Sequence, residues 1–269
     1  MRWLMSSLTV ALAALPVLGE DASQTPAQAA PRWGTIKGRV VWDGGAVPKR
    51  VAPNMAQDKE ACQAAARAAG KEILTENLVV NPQNRGARWV VVWLIDPRDA
   101  DAQLPRNPNL PAPARTVTLD ASCCFFEPHI VCLREGQTLV CKNGSPVAHG
   151  FRFDGPPPNL AQLIPPEKSL EVRDWKASPR PTVVSCAIHP WMRAYVRVFA
   201  HPYFAVTDED GRFEIKGAPV GTYRLVMWQE QTGYFLGARD RKGVPVAILP
   251  DRTTDLGDFK LRPDEPAGP

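Results

Sequence analysis

From residue 116 onward the sequence is divided into short apolar or alternating runs, separated at close intervals by turn-forming residues. Such runs are typical of β-strands in a sandwich or barrel, because the side chains alternate between two faces and turns follow after a few residues. The pattern therefore predicts an all-β fold in this region. The runs before residue 201 are 116–119, 129–134, 137–142, 150–153, 169–172, 182–186 and 195–200.

Strand-like runs also flank this region on both sides. One helix is expected over residues 57–69, because this stretch is rich in alanine, lacks proline and is followed by Gly70. A proline-rich connection at residues 97–113 predicts an extended crossing between two modules, with a boundary near residue 115. The flanking runs are 35–42, 78–80, 88–95, 204–207, 212–215, 222–228, 244–249 and 254–261.

The N-terminus has the pattern of an export signal. Arg2 precedes a mostly apolar stretch, which is interrupted by polar residues and Pro16 and ends at the small residue Gly19. We predict a signal peptide over residues 1–19 and a disordered linker over residues 20–32, which are rich in Ala, Gln and Pro. The mature protein is then periplasmic or secreted and has no membrane span after signal removal.

The charge balance argues against a nucleic-acid partner. The chain of 269 residues carries 32 basic and 28 acidic residues, for a formal net charge of +4, and these are mixed along the sequence. Nucleic-acid tracks need clustered basic residues. We therefore expect no nucleic-acid binding.

One short loop after residues 182–184 combines three potential metal ligands, Cys186, His189 and Met192. A thiolate, an imidazole and a weak thioether lack only one more imidazole to form the trigonal site that holds electron-transfer copper. His149 is the candidate for that second imidazole. Zinc, another metal or a site without metal are the alternatives, although zinc prefers four strong ligands and a thioether is a poor fourth.

The Cys-x-x-His-x-x-Met spacing resembles the copper loop of the cupredoxins, in its amicyanin-like form. Upstream, a glycine turn at residues 135–139 leads into a strand that ends at Asn143 and precedes His149, which is similar to the order in that family. The resemblance covers about residues 116–201. It implies a Greek-key sandwich with one mononuclear type 1 copper ion, held by the four residues His149, Cys186, His189 and Met192.

The resemblance also assigns places around these ligands to Asn143, Gly150, Pro190 and Trp191. Cupredoxins usually have Asn directly after the first copper His, where this chain has Gly150. The usual link between the two ligand loops is therefore not expected. Pro190 and the surrounding sandwich are expected to hold the loop rigid instead, because outer-shell contacts orient metal ligands.

The flanking regions resemble a second family, the carboxypeptidase-regulatory-like or transthyretin-like (prealbumin-like) sandwich. Residues 38–44 match the opening of that family, and residues 207–213 and 219–225 match its later signature. This order implies a cupredoxin domain at 116–201 inserted between two parts of an outer sandwich, 33–115 and 202–262, with a tail at 263–269. It is also similar to methylamine-utilisation-like secreted proteins.

The chain has six cysteines. If Cys186 binds metal, an odd number remains, so at least one other thiol is free or pairs with another chain. With the inserted order that the resemblance implies, we expect a disulfide between Cys62 and Cys124, which would link the helix to the start of the insert. A second bond, Cys132 with Cys141, would leave Cys123 free.

These features predict an exported electron-transfer protein rather than an enzyme. Multicopper enzymes need many histidine ligands, whereas the chain has four histidines in all. Of these, His129 is an alternative ligand but is expected to be structural, as is His201. A non-catalytic copper-carrying or surface-binding β-sandwich module is the alternative function.

A redox partner protein is expected to dock near His189. Pro190 and Trp191 would leave an apolar rim over the edge of the imidazole, and Arg193 beside the loop could steer an acidic partner.

Overall fold

The computed structural model describes residues 32–155, 160–235 and 243–262. The expected signal peptide, all but the last residue of the expected linker and the C-terminal tail lie outside these ranges. Within them the fold is mainly β with one helix, as predicted. None of the helical structure in these ranges has the length and apolarity to cross a membrane.

One helix and eighteen strands follow one another along the described ranges. In chain order they are β1 (Trp33–Trp42), α1 (Lys59–Ala68), β2 (Val79–Val80), β3 (Ala87–Arg88), β4 (Val91–Ile95), β5 (Thr116–Asp120), β6 (Ile130–Arg134), β7 (Thr138–Asn143), β8 (His149–Asp154), β9 (Ala161–Ile164), β10 (Lys168–Val172), β11 (Thr182–Ser185), β12 (Arg193–Phe199), β13 (Phe204–Val206), β14 (Arg212–Pro219), β15 (Gly221–Gln229), β16 (Gly233–Tyr234), β17 (Val244–Ile248) and β18 (Thr253–Leu261).

Strands from the beginning and the end of the chain form two sheets together. In the first, β1 lies between β14, which is antiparallel to it, and β18, which is parallel. In the second, β4 lies between β13 and β15, and β15 also pairs with β16 and β17. Alternating side chains of these strands, such as Ile36 and Val40 of β1, enter one apolar core.

Strands between residues 116 and 199 form two further sheets. One has the order β10-β7-β5 and the other the order β6-β12-β11-β8-β9. Their inner faces share a second core that contains large buried side chains, among them Phe151, Phe153 and Trp175. Two packed sheets with one apolar core between them make a sandwich-like arrangement.

A third apolar cluster joins the sheet of β4 and β15 to the sheet of β6 and β12. Trp93 lies 5.8 Å from Phe199 and Trp228 lies 5.1 Å from Tyr195, measured between ring centroids. Tilted aromatic pairs at such distances add to the stabilisation that burial gives. The sheets built from the two chain ends and the sheets of the middle region are therefore packed directly against each other.

Helix α1 packs on the core of the middle region through Cys62 and Ala66, both of which are buried. Cys62 forms a disulfide with Cys124, the pairing that we predicted. The bond fixes the helix to the loop between β5 and β6.

The predicted Cys132–Cys141 bond is wrong, because both thiols are free. Cys132 lies on β6 and packs against the third cluster, whereas Cys141 lies on β7 in another sheet and enters the second core. Burial raises the pKa of each thiol to about 12, so both stay protonated. Cys123 is also a free, buried thiol.

The run at residues 88–95, predicted as one strand, is divided into β3 and β4 at Trp89. Trp89 has a φ of 64°, in the left-handed region that bulky residues rarely adopt. The turn lets the backbone N–H of Val90 donate to the Thr207 hydroxyl at 2.9 Å. This contact joins the start of β4 to Thr207, directly after β13. A contact between residues 117 positions apart leaves no local pattern in the sequence.

The disulfide gives a first prediction. The Cys62→Ser/Cys124→Ser variant should be less stable than the wild type by about 4 kcal/mol, because the bond closes a loop with a sequence separation of 62 residues in the unfolded chain. Urea unfolding measures this difference. Reductant should lower the stability of the wild type to that of the variant and leave the variant unchanged; a reductant effect on the variant would contradict the assignment.

His201 gives a second prediction. It is half-buried, its ring lies 5.7 Å from that of Tyr203, and its Nδ1 accepts the Tyr203 backbone N–H at 3.1 Å. Burial lowers the His201 pKa from 6.5 to about 4. Between pH 6.5 and pH 4, His201 is therefore protonated in the unfolded chain but not in the folded protein. Its contribution to the free energy of unfolding is complete above pH 6.5 and is lost as the pH falls towards 4.

Urea unfolding of the wild type and His201→Gln as a function of pH tests this. Glutamine can still accept the Tyr203 N–H but does not titrate. The wild type should lose about 2 kcal/mol more than the variant across the window, after allowance for solvent screening at this half-buried position. Parallel pH profiles for the two proteins would contradict the assignment.

Candidate metal centre

His149, Cys186 and His189 meet at one point, with their ligand atoms all within 4.8 Å of one another. The two Nδ1 atoms are 2.9 Å apart, and the Cys186 Sγ lies 3.8 Å from the His149 Nδ1 and 3.6 Å from the His189 Nδ1. Both histidines have no exposed surface and Cys186 is 4% exposed. Two nitrogens and one sulfur therefore converge in a buried site.

Strand pairing places these residues. His149 is the first residue of β8, Cys186 follows directly after β11, and β11 pairs with β8 on one side and β12 on the other. The loop from Cys186 to Met192 is closed by its own backbone, since the Cys186 N–H donates to the Met192 carbonyl at 3.2 Å and the Met192 N–H donates to the His189 carbonyl at 2.9 Å. The loop is therefore tightly turned between two strands.

The Cys186 sulfur accepts two backbone hydrogen bonds. The N–H groups of Gly150 and His189 both lie 3.4 Å from Sγ. Such donors stabilise a thiolate, because they place positive dipole ends against the negative sulfur. The Gly150 bond also links the two ligand loops through the backbone, at the position where cupredoxins usually have an Asn.

Gly150 lies close to the loop that carries Cys186. A Cβ placed at Gly150 would come within 3.3 Å of both the Cβ and the backbone nitrogen of Ala187. A larger residue would therefore press on this loop. Glycine at this position allows the close approach that brings its N–H to the sulfur.

His149 is anchored through its outer nitrogen. Its Nε2 lies 2.8 Å from the Ser145 hydroxyl oxygen, and this hydroxyl also lies 2.8 Å from the Asn143 Oδ1. Asn143 is fully buried and donates to the carbonyls of Val147 and Ile164. Asn143 thus holds the turn that carries Ser145, and Ser145 holds the imidazole.

Burial, with a smaller contribution from the neighbouring His189, lowers the His149 pKa from 6.5 to about 4. His149 is therefore neutral at ordinary pH. A neutral imidazole is the form that binds a metal ion.

His189 is anchored in the same way but by a different group. Its Nε2 lies 3.0 Å from the Asp58 Oδ2, and its ring lies 4.9 Å from that of Trp191. A carboxylate accepts but does not donate, so the proton of His189 is on Nε2. The lone pair of its Nδ1 is then directed at the other two ligand atoms.

The donor set fits a metal ion. If both rings are neutral and carry their proton on Nε2, two Nδ1 lone pairs face each other at 2.9 Å beside a sulfur. Facing lone pairs repel, and a metal ion or a shared proton between the two nitrogens removes this repulsion. Metal–nitrogen bonds of about 2.0 Å and metal–sulfur bonds of about 2.3 Å, as for zinc, would place the ligand atoms about 3–4 Å apart, which matches the observed spacing.

The remaining predicted site residues lie in the loop between Cys186 and the start of β12. Met192 is 1% exposed and packs in the same core as Cys186. Pro190 is exposed and Trp191 is half-buried, with its Nε1–H donated to the Cys124 carbonyl at 3.0 Å.

The other two histidines lie elsewhere. The His129 Nε2 lies 3.0 Å from the Glu230 Oε1, and the His201 Nδ1 accepts the Tyr203 N–H. Neither belongs to the group of ligand atoms described above.

Sequence reasoning missed Ser145 and Asp58. Ser145 lies between Asn143 and His149 in the chain, so the turn at residues 143–149 offered a local signal. Asp58 lies 131 residues before His189 and gave no such signal.

No protein-family model and no curated protein matches the chain. Among solved structures, a Cu(I) form of an amicyanin variant is 18% identical and covers 33% of this chain and 86% of its own, with a TM-score of 0.29. An oxidised amicyanin variant is 20% identical, covers 32% of this chain and 83% of its own, and has a TM-score of 0.29.

A Cu-containing nitrite reductase from Thermus scotoductus SA-01 is 17% identical and covers 36% of this chain and 25% of its own, with a TM-score of 0.30. These neighbours cover only part of this chain. Because the TM-scores are low, only the residues of the site itself indicate what it binds.

Ser145 gives a third prediction. Ser145→Ala removes the acceptor of the His149 Nε2–H, so the imidazole loses its orientation and metal affinity should fall about tenfold. Competition with a chelator measures the affinity. The matched control is Ser169→Ala, which removes an exposed hydroxyl on β10 and should leave the affinity unchanged. Equal affinities of the two variants would contradict the role of Ser145.

Proposed function

We propose that the chain is a copper-binding electron-transfer protein with a cupredoxin-type site, in which Met192 is the fourth, weak ligand. The observation that carries this proposal is the buried group of two Nδ1 atoms and one Sγ atom, with both imidazoles held at Nε2. Two imidazoles and one thiolate with a weak thioether select copper among the biological metals. Zinc prefers a fourth strong ligand, and Met192 does not supply one.

Copper would supply one-electron chemistry at this site by alternating between two oxidation states. The residues of the chain limit the movement that accompanies each transfer. Ser145 and Asp58 hold the two rings, two backbone N–H groups hold the Cys186 sulfur, and the paired strands hold the loops. A ligand set fixed in advance by hydrogen bonds needs little rearrangement when the charge at its centre changes.

We propose further that a cupredoxin domain at residues 116–201 is inserted into a carboxypeptidase-regulatory-like sandwich made of residues 33–115 and 202–262. The strand pairing supports this order, because β1 pairs with β14 and β18, and β4 pairs with β13 and β15. Helix α1 departs from the simple division, since it packs on the core of the middle region.

Export to the periplasm or the cell exterior is part of the proposal. The N-terminal sequence pattern supports it, and so does the Cys62–Cys124 disulfide, because such bonds persist in oxidising compartments.

The proposed role is electron transfer to a redox partner protein, without catalysis. A non-catalytic copper carrier or a surface-binding module is the alternative. The partner would approach near Pro190 and Trp191, where the loop reaches the surface. His189 itself has no exposed surface, so contact would be made with the residues around it.

Copper reconstitution tests the function and gives a fourth prediction. The wild type should bind one Cu(II) and show an intense visible band from thiolate-to-copper charge transfer, with reversible one-electron reduction. Cys186→Ser should abolish the band. Cys123→Ser, which removes a free and buried thiol outside the cluster, should keep it.

The Met192→Leu variant tests whether Met192 is the axial ligand, separately from whether the chain binds copper. If the thioether is the axial ligand, the variant should bind copper but show a shifted midpoint potential, because the axial ligand tunes that potential. An unchanged spectrum and potential would remove Met192 from the ligand set. Copper binding without reversible reduction in the wild type would favour the copper-carrying alternative.

A further inference from the structure

The His189 imidazole is closed off by a segment that lies far from the metal-binding loops in sequence. Asp58, which approaches the His189 Nε2 to 3.0 Å, lies before the middle sheets begin. Its side chain is 44% exposed, whereas the His189 side chain is completely buried. The carboxylate therefore lies between the ligand and solvent.

Asp58 occupies the N-cap position of α1, where an aspartate normally accepts hydrogen bonds from the first helical N–H groups. In the part of the chain that the structure describes, its side chain makes no such capping bond. Its backbone is in the left-handed region, at φ 49° and ψ 23°, which Asp and Asn adopt more readily than other non-glycine residues. The helix therefore has no side-chain cap at this residue, and the carboxylate contacts His189 instead.

The disulfide holds Asp58 in place. The Cys62 N–H donates to the Asp58 carbonyl at 2.8 Å, and Cys62 is bonded to Cys124. The Cys124 carbonyl in turn accepts the Nε1–H of Trp191, whose ring lies against that of His189. The Cys62–Cys124 disulfide therefore anchors Asp58 and Trp191, the two residues that lie against the His189 imidazole.

We propose that Asp58 is a positioning residue for His189: it fixes the proton on Nε2, directs Nδ1 at the metal and keeps solvent and partner proteins from the ring. The metal-related part of this inference rests on the proposed function. Hydrogen bonds from a metal-bound imidazole to a carboxylate orient the ring and increase its basicity. The segment that carries Asp58, residues 51–75, is called the cap below.

The cap also restricts the surface through which an electron could pass from the site to a redox partner. Because Asp58 and Trp191 cover the ring, a partner must contact Asp58, Pro190 or Trp191 rather than the imidazole edge. The exposed charges around Asp58 have both signs, because the cations Lys59 and Arg67 share α1 with the acid Glu60. The cap therefore favours a polar partner surface of mixed charge over an apolar one.

The test compares Asp58→Ala and Asp58→Asn with Glu60→Gln. Asparagine tolerates the left-handed backbone and keeps an acceptor oxygen, so it separates the effect of charge from the loss of the contact. Glu60 is an exposed acid in the first turn of α1, so its variant removes the same charge without touching His189. Thermal unfolding checks that all three variants fold.

The first measurement is the His189 tautomer in the metal-free full-length chain, by ¹⁵N NMR of the ring. Wild type and Glu60→Gln should be protonated at Nε2, Asp58→Asn should keep most of this form, and Asp58→Ala should show a mixture of tautomers. This measurement does not depend on copper binding. A wild-type tautomer in Asp58→Ala would overturn the positioning role even if the protein binds copper.

The second measurement is copper release from the loaded protein to a chelator, together with its EPR spectrum. Release should be about tenfold faster from Asp58→Ala than from the wild type, with smaller acceleration in Asp58→Asn and none in Glu60→Gln. Altered EPR parameters in Asp58→Ala would locate the effect at the metal. Equal release from all four proteins would overturn the inference, whereas a wild type that takes up no copper would overturn the proposed function and leave the tautomer result to decide on Asp58.

Discussion

The pairing of β11 with β8 on one side and β12 on the other is the interaction on which the candidate metal centre depends. This ladder sets the distance between the start of β8 and the end of β11, and so between His149 and Cys186. The same ladder returns the chain through a short loop that contains His189. Because the backbone hydrogen bonds of a sheet fix register, a slip of one residue would turn ligand side chains to the other face. The backbone hydrogen bonds of this sheet therefore fix the positions of His149 and Cys186 relative to each other.

The two imidazoles are held by chemically different groups. Ser145 is neutral and fully buried with His149, whereas Asp58 carries a charge and is partly exposed beside His189. A neutral acceptor suits the interior, since a buried carboxylate would be costly to desolvate. The charged acceptor lies where solvent can still stabilise it. Each group contacts the Nε2 atom of its imidazole and so turns the Nδ1 atom toward the other ligand atoms. The two rings are therefore oriented in the same way by a neutral buried group and by a charged, partly exposed one.

The sequence was sufficient for the mainly β fold and for the helix found in the described residues, because these depend on local periodicity. His149, 37 residues before Cys186, was predicted to meet Cys186 and His189 from the resemblance to the cupredoxins, not from a local pattern. The break at Trp89 was not predictable, since it depends on Thr207 at the other end of the chain. The Cys132–Cys141 bond was predicted without a contact to support it, and it fails because the two side chains face different cores: Cys141 enters the second core, whereas Cys132 packs against the third cluster. Asp58 was missed for a related reason: no local pattern marks a contact across 131 residues.

The parallel pairing of β1 with β18 has a consequence for the time order of folding. β1 emerges early in synthesis, but its partner strands β14 and β18 are made only after the whole middle region is complete. Strands β5 to β12 have most of their partners among themselves, so they can close while β1 is still unpaired. Distant partners must also overcome the entropy of closing a long loop, which slows their pairing. Pairing within the middle sheets therefore needs no strand from either end of the chain, whereas β1 depends on partners more than 170 residues away.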